Sequence, residues 1–253
     1  MDRYDIVIAG AGASGVFMAY ELTKIENNAR VLMVDKGAPL ENRMCPIKLG
    51  NTPSCVKCSP CHIMNGYGGA GTLSDGKYNL TTQFGGDLHK FVGEDKAMEL
   101  MEYVDDVLCS MGGADARLYS TGNSDLKTEC LRYDLHLLEA KVRHLGTDRN
   151  VQILGRIFDY IKERIEMKFY TSVRDVEKAE NGGFIVSLSD GTVCSCDNMV
   201  LATGRSGSSW ISKVCDRFGI AARKNRVDIG VRVELPAEIF KHDITMELHF
   251  TVL

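Results

Sequence analysis

Short hydrophobic runs, glycines and a helical pattern follow one another over the first 35 residues. Residues 6–9 are an apolar run, glycines follow at positions 10, 12 and 15, and apolar side chains then recur with helical spacing up to Leu22. A second apolar run at residues 31–34 ends at Asp35. Short apolar runs are typical of buried strands, so this segment predicts a strand–turn–helix–strand unit.

The rest of the chain contains both helical spacing and strand-like apolar runs, but residues 37–86 show little periodicity. Helical spacing predicts helices at residues 87–112, from a cap at Thr147 or Asp148 through Ile165, and at residues 209–218. Apolar or alternating runs predict strands at residues 135–138, 167–176, 183–188, 199–202 and 227–235. The Asp190-Gly191 pair indicates a hairpin turn after the strand at 183–188.

The three early glycines form a Gly-x-Gly-x-x-Gly turn between the predicted strand and helix. In such a turn Gly10 permits the tight bend, Gly12 lets a pyrophosphate approach the backbone, and Gly15 lets the helix pack on the strand. The helix N-terminus adds free N–H groups and the positive end of a dipole. Asp35 is placed to accept hydrogen bonds from a ribose and disfavours a 2′-phosphate. The segment therefore predicts a dinucleotide site unsuited to NADP, and the plainer alternative is a βαβ turn without a ligand.

Composition and charge narrow the class of protein. A chain of 253 residues with 44% hydrophobic and 25% charged side chains is ordinary for one large globular domain or two modest ones. A net charge of −4, with no basic run among aromatics, argues against nucleic-acid binding. No run of about eighteen apolar residues indicates a membrane span, and Asp2 and Asp5 argue against a signal peptide. We therefore expect a cytoplasmic protein with neither nucleic acid nor membrane as a partner.

Glycines are dense between residues 65 and 77. Glycine lets backbone N–H groups approach a flat ring or a phosphate closely, so Gly68, Gly69 and Gly71 are candidate ligand contacts, with Ser74 beside them. A flexible surface loop is the alternative interpretation.

Four of the nine cysteines, Cys45, Cys55, Cys58 and Cys61, fall within a short segment. Nine cysteines in a cytoplasmic protein indicate metal or redox chemistry rather than a disulfide framework. The Cys-x-x-Cys-x-x-Cys spacing suits three thiolates around one iron–sulfur cluster or zinc ion, with Cys45 as a distant fourth ligand. Reactive or structural thiols are the alternative. The other five cysteines are expected to act as small buried hydrophobes.

Motifs spread over nearly the whole chain resemble the N-terminal part of bacterial FAD-dependent dehydrogenases of the glutathione-reductase-type flavoprotein superfamily. The matching stretches are residues 6–15, 45–46 with 55–61, 68–71 with 74–77, 143–148, 204–207 with Trp210, and 228–234. The strand at 199–202 ends in Thr203-Gly204 after a hairpin insertion, as in the late motif of such flavoproteins, and NAD dehydrogenases lack that insertion.

The resemblance implies an α/β fold, namely a Rossmann-like FAD/NAD(P)-binding domain with a parallel central sheet and an antiparallel β insertion. The FAD domain would be discontinuous, with residues 87–130 as a helical insertion and residues 206–253 as the start of a second, substrate-side domain. Its two parts would be residues 1–86 and 131–205. Such flavoproteins normally carry a Gly-Asp motif near their C-terminus, and none follows Gly230, so we expect a truncated chain.

The resemblance also implies an FAD-dependent oxidoreductase that passes hydride or electrons through a bound flavin. Its partners would be a small-molecule substrate and an electron donor, with NAD(P)H as a candidate. The expected cofactor-binding residues are Gly10, Gly12, Ala13, Ser14, Gly15, Asp35, Lys36, Gly68, Gly69, Gly71, Ser74, Ala202, Thr203 and Gly204. The four clustered cysteines would hold metal or exchange electrons with the flavin.

Two other classes of function fit the same residues. One is an NAD(H)-binding module in which NAD is a regulatory ligand and no reaction is catalysed. The other is an electron-transfer protein in which the cysteine cluster is the main redox centre. The substrate and the oligomeric state are left open by the sequence.

Overall fold

The computed structural model describes residues 1–25, 28–120, 122, 124–223, 236 and 238. The strand predicted at 227–235 and the motif at 228–234 lie outside these residues. In chain order the elements are β1 (Asp2–Ala9), α1 (Ala13–Lys24), β2 (Val31–Val34), β3 (Lys77–Leu80), α2 (His89–Val92), α3 (Glu94–Leu108), β4 (Leu118–Ser120), α4 (Ser124–Arg132), β5 (Lys141–His144), α5 (Thr147–Lys162), β6 (Glu166–Lys168), β7 (Val173–Lys178), β8 (Phe184–Leu188), β9 (Val193–Leu201) and α6 (Ser208–Phe218).

A six-stranded sheet with the order β6-β2-β1-β9-β8-β7 carries the cleft described below. Strand β1 pairs in parallel with β2 on one side and β9 on the other, and β2 pairs in parallel with β6. Strands β7, β8 and β9 pair antiparallel, which is the hairpin insertion that the Asp190-Gly191 turn predicts. The predicted α/β class with a mainly parallel central sheet is confirmed.

Both faces of the central strands are buried, which explains why their sequences read as continuous apolar runs. Because side chains alternate along a strand, Ile8 and Met33 enter one hydrophobic cluster while Val7 and Leu32 enter another. The first cluster is shared with α1 and α5, and the second with β8 and β9.

Helix α5 packs on the sheet through one apolar stripe. Its buried side chains Ile153, Ile157 and Ile161 recur every four residues, which places them on one face of the helix. Tyr160 contacts Tyr20 of α1 with ring centroids 5.3 Å apart, so the two helices cover the same face together.

A second, three-stranded antiparallel sheet has the order β3-β5-β4. Its central strand carries Arg143, which is buried and forms a two-bond ion pair with Asp105 of α3 at 2.5 and 2.7 Å. Arg143 also donates to the Ala116 carbonyl oxygen at 2.5 Å. This charged contact ties the small sheet to α3.

Two predicted elements are interrupted in the structure. The helix predicted at 87–112 is broken at Gly93, whose φ of 84° lies outside the helical region, so α2 and α3 are separate. The strand predicted at 167–176 forms two strands, because residues 169–172 leave the ladder and cross towards β7.

Other boundaries shift. Residues 135–138 are irregular and the strand is β5, because residues 141–144 are the ones that pair with both β3 and β4. Helix α5 is preceded by Gly146, with no side-chain cap from Thr147 or Asp148, and it ends at Lys162 before Ile165. No helix within the described residues is both long and apolar enough to cross a membrane.

We predict that Asp105→Ala destabilises the fold by about 3–5 kcal/mol, because it leaves the Arg143 guanidinium buried without its counter-ion. Urea unfolding followed by circular dichroism measures the change. Asp106→Ala is the matched control, since Asp106 is the next residue along and is exposed. Equal unfolding free energies for the two variants would contradict a structural role for the ion pair.

Candidate dinucleotide-binding site

The Gly-x-Gly-x-x-Gly turn leaves the N-terminus of α1 open. Gly12 precedes the helix, provides no side-chain cap, and no acidic residue lies in the first turn. A Cβ built on Gly12 would meet nothing closer than the Gly69 Cα at 4.0 Å. The free N–H groups and positive dipole end of α1 therefore face open space that suits an anion.

The other two glycines are required by close backbone contacts. Gly10 has a φ of 107°, and a Cβ there would lie 2.4 Å from the Ala202 carbonyl oxygen of the chain leaving β9. A Cβ on Gly15 would lie 1.9 Å from the Gly10 carbonyl oxygen. Gly10 thus serves the tight turn, as the motif predicts. Gly15 lets α1 lie against the turn and also near β1, since the same Cβ would lie 3.4 Å from Ile8 Cγ2.

Asp35, at the end of β2, binds three backbone N–H groups from three segments. Its Oδ2 accepts from Ala11 at 2.9 Å, and its Oδ1 accepts from Gly37 at 2.7 Å and from Gly66 at 3.0 Å. The carboxylate therefore joins the glycine turn to the glycine-rich loop, a structural role that the sequence does not indicate. Two carboxylate oxygens offer about four acceptor positions, so capacity for one further donor remains.

The glycine-rich loop lies directly against the glycine turn. The Gly68 N–H donates to the Ala11 carbonyl oxygen at 2.7 Å, and Gly12 and Gly68 form an isolated parallel bridge. Gly68 and Gly69 have φ values of 74° and 62°, which favour glycine. Tyr67 anchors the loop to the core with its fully buried ring.

Arg43 binds the backbone of this loop, a role that the sequence analysis did not predict. Its guanidinium donates to the carbonyl oxygens of His62, Ile63, Tyr67 and Gly69 at distances of 2.6 to 3.0 Å. An arginine in an irregular segment carries no periodic signal, so nothing in the sequence marks it as buried.

Burial lowers the pKa of Arg43 to about 10, against the opposing effect of Asp35 and Cys61. The guanidinium therefore stays cationic at neutral pH and keeps all of its N–H donors available.

Asn150 is a second missed residue. It is fully buried in α5 and its amide donates to the carbonyl oxygens of Gly71 at 2.8 Å and Thr72 at 3.0 Å. Its Oδ1 accepts the Tyr78 hydroxyl at 2.7 Å. The helix and the small sheet thus fix the far end of the glycine-rich loop.

The chain that leaves β9 forms another wall. The Ala202 N–H continues the parallel ladder by donating to the Ala9 carbonyl oxygen at 2.8 Å. The Thr203 Oγ1 is buried and has no hydrogen-bond partner within the part of the chain that the structure describes. Ser206 donates to Asn65 Oδ1 at 3.1 Å, which links this wall to the glycine-rich loop.

These segments enclose a cleft of about 720 Å³ at the carboxyl ends of β1, β2 and β9. Ligands of open α/β sheets bind at this edge, where neighbouring connections run in opposite directions. The predicted residues that line the cleft are Gly10, Gly12, Ala13, Ser14, Asp35, Lys36, Gly68, Gly69, Gly71, Ala202, Thr203 and Gly204.

Gly15 and Ser74 are not in the lining, and Ser74 instead donates to the Gly71 carbonyl oxygen at 2.7 Å. Further lining residues that were not predicted include Met64, Asn65, Ser172, Val173 and Trp210. Asn65 begins the glycine-dense segment and Trp210 belongs to a motif of the family resemblance, whereas nothing in the sequence distinguishes Met64, Ser172 and Val173 from ordinary surface or core residues.

The structure does not support the predicted metal site. Cys45, Cys55, Cys58 and Cys61 are free thiols, with Cys55 exposed, and no group of three or more His, Cys, Asp or Glu residues in the described part of the chain could hold a metal ion. Thiolate ligands must converge at about 2.3 Å from one ion. Their spacing permits this convergence, but the irregular loop that carries them does not impose it. The redox-thiol alternative stays a prediction.

Two of the five remaining cysteines match their predicted role, whereas Cys109, Cys130 and Cys215 are only half-buried. Cys194 and Cys196 are buried in β9, and burial raises the pKa of the Cys196 thiol to about 11. A thiol that is protonated at neutral pH is a poor nucleophile and a poor ligand.

No protein-family model matches the sequence, and no curated protein matches it either. Among solved structures, glycine oxidase from Geobacillus kaustophilus is similar, with a TM-score of 0.51 and 16% identity over 87% of this chain and 59% of that chain. The chain shares the fold of that oxidase and spans 59% of the oxidase's length.

Two further solved structures are similar at lower scores. Glycine oxidase from Bacillus cereus ATCC 14579 has a TM-score of 0.48 and 17% identity over 86% of this chain and 58% of that chain. PqsL from Pseudomonas aeruginosa, described as a probable FAD-dependent monooxygenase, has a TM-score of 0.39 and 14% identity over 78% of this chain and 42% of that chain.

We predict opposite effects of the same side-chain change at two glycines. Gly15→Ala should destabilise the fold by about 1–3 kcal/mol, because its Cβ overlaps the Gly10 carbonyl. That cost exceeds the roughly 1 kcal/mol by which alanine favours a helix. Gly12→Ala should leave stability within about 0.5 kcal/mol. Urea unfolding of both variants measures this, and an equally destabilised Gly12→Ala would show that the cleft beside Gly12 is not open.

We further predict that Asp35→Asn destabilises the apoprotein by about 1–3 kcal/mol, the cost of an unsatisfied buried hydrogen-bonding group. An amide has one oxygen, so its NH₂ group must face either Ala11 N–H or the Gly37 and Gly66 N–H groups. Thermal unfolding measures the change, with Asp2→Asn as the exposed control. An unchanged melting temperature would mean that the three hydrogen bonds contribute nothing to stability.

Proposed function

We propose that this chain is the cofactor-binding part of an FAD-dependent oxidoreductase, which transfers hydride or electrons through a bound flavin. The observation that carries the proposal is the uncapped N-terminus of α1, which faces a cleft between Gly12 and the glycine-rich loop. The fold shared with an oxidase supports it. The resemblance of the sequence to FAD-dependent dehydrogenases supports hydride or electron transfer as the class of reaction.

The residues present fit the pyrophosphate of a dinucleotide. The space over Gly12 would be filled by any larger side chain, and the first-turn N–H groups of α1 are the donors that anions bind at helix N-termini. Gly68 and Gly69 bring a second stretch of backbone to the opposite side of this space. Phosphate oxygens would thus meet backbone on two sides.

The end of the cleft at Asp35 fits a ribose. The acceptor position that remains on the carboxylate suits a hydroxyl donor and repels a phosphate, so FAD or NAD is favoured over NADP at this site. A volume of about 720 Å³ lies within the roughly 300–1,000 Å³ range of small-molecule sites.

When bound, FAD would supply the hydride or electron chemistry, and the protein would supply binding, orientation and electrostatics. A flavin needs both a donor and an acceptor, so the proposal includes a small-molecule substrate and an electron donor, for which NAD(P)H is the candidate. The discontinuous FAD domain at 1–86 and 131–205 and a cytoplasmic location are parts of the same proposal.

The test is the visible spectrum of freshly purified protein together with the nucleotide released on denaturation. We expect the absorption bands of oxidised flavin, and FAD as the released compound. Gly12→Val should purify folded with little flavin, because a branched side chain would occupy the phosphate position. Gly86→Val is the control, since Gly86 is exposed, and a Cβ there meets nothing within 4 Å.

A second set of measurements separates this proposal from the NAD-binding alternative. Protein without flavin is titrated with FAD and with NAD, and the heat of binding is recorded. Tight FAD binding with weaker NAD binding supports the flavoprotein. Binding of NAD alone, with no flavin retained by the wild-type protein, would replace the proposal with a non-catalytic NAD module.

A further inference from the structure

Trp210 is part of the cleft wall, although it lies on α6, well away from the glycine turn in sequence. It lines the cleft beside Ser172 and Val173 and is half-buried. It is also the single tryptophan of the chain. An aromatic side chain in the wall of a dinucleotide-sized cleft offers a flat surface to a flat ring.

The indole is held in place before any ligand binds. Its Nε1–H donates to the Arg174 carbonyl oxygen at 3.1 Å, so its polar edge is satisfied by the start of β7. The same face of α6 carries buried Val214, and Arg217, which donates to the Val176 carbonyl oxygen at 3.1 Å. These anchors fix α6 on β7, and an immobilised ring costs little entropy to stack upon.

Hydrogen bonds connect this wall to Asp35. The Thr171 N–H donates to the Asp35 carbonyl oxygen at 3.0 Å, and the Tyr170 N–H donates to the Gly37 carbonyl oxygen at 2.9 Å. From there the chain crosses the carboxyl edge of the sheet to Val173, which lines the cleft. Asp35 and Trp210 line the same cleft, as do residues 172–173, which directly follow the two residues bonded to the backbone of residues 35–37. A base attached to a ribose at Asp35 would thus occupy the cleft that Trp210 also lines.

We propose that Trp210 is the surface on which the adenine ring of the bound dinucleotide stacks, with Val173 beside it in the wall. This inference rests on the proposed function, because it takes the ligand to be an adenine dinucleotide. Aromatic stacking is tolerant of ring substituents, so Trp210 would recognise the shape of the purine, while Asp35 recognises the ribose hydroxyl. The flat flavin ring is the other occupant that this surface fits, and the test separates the two.

A single tryptophan makes the test direct, because its fluorescence reports on Trp210 alone. The full chain without bound flavin is titrated with ADP, which carries the adenine half of FAD, and with FMN, which carries the flavin half. We expect saturable quenching by ADP and by FAD. FMN binding that is weakened in Trp210→Leu, with no quenching by ADP, would overturn the proposal and assign the surface to the flavin ring.

Variants measure what the stacking contributes. Trp210→Leu should weaken ADP binding about tenfold in calorimetry, within the range found for base stacking on aromatic side chains. Trp210→Phe should retain most of the affinity, because it keeps a ring and loses only the hydrogen bond to Arg174. Phe91→Leu is the control, since Phe91 is 81% exposed and outside the cleft lining.

Failure of this inference differs from failure of the proposed function. Suppose that the protein binds FAD, that ADP does not quench Trp210 fluorescence, and that Trp210→Leu binds ADP as tightly as the wild type. The stacking proposal is then wrong and the flavoprotein proposal stands. If neither FAD nor ADP binds the folded chain, both proposals are wrong. Circular dichroism of each variant shows whether it has folded, and Trp210→Phe provides the affinity comparison if Trp210→Leu does not fold.

Discussion

The Asp35 carboxylate is the contact on which the shape of the cleft depends. It accepts hydrogen bonds from N–H groups of the glycine turn, of the segment after β2 and of the glycine-rich loop. A single side chain therefore joins all three segments. Hydrogen bonds to a charged acceptor are stronger than neutral ones. One carboxylate at the end of a buried strand thus holds two glycine-rich segments together through their backbone N–H groups.

Arg43 complements Asp35 because it binds backbone carbonyl oxygens, whereas Asp35 binds backbone N–H groups. The Arg43 guanidinium donates to four carbonyl oxygens of residues 62–69. Buried backbone polar groups must be paired, and an irregular loop cannot pair them with a ladder or a helix. One acid and one base therefore allow a glycine-rich loop to lie against the core in a fixed conformation without regular secondary structure.

The parts of the site that carry a hydrophobic periodicity or a sequence motif could be predicted from the sequence. Strand β1, the glycine turn, α1 and β2 were predictable because burial on both strand faces and the turn geometry leave local signals. The roles of Arg43 and Asn150 were not, because their partners lie 19–26 and 72–79 residues away and depend on the folded loop. The cysteine spacing has a related limit, since spacing permits ligands to converge but the conformation of the loop decides whether they do.

In the proposed function, Asp35 couples folding to ligand recognition. Three of its roughly four acceptor positions bind backbone N–H groups, and Asp35 lines the cleft with capacity for one further donor. A ribose hydroxyl that donates to this position adds a bond without displacing the three that shape the site. A phosphate would place negative charge against a carboxylate that cannot turn away, because its backbone bonds fix it. In this proposal, selection for a ribose hydroxyl follows from the contacts that fold the cleft. A ligand that binds only the folded chain stabilises those same contacts.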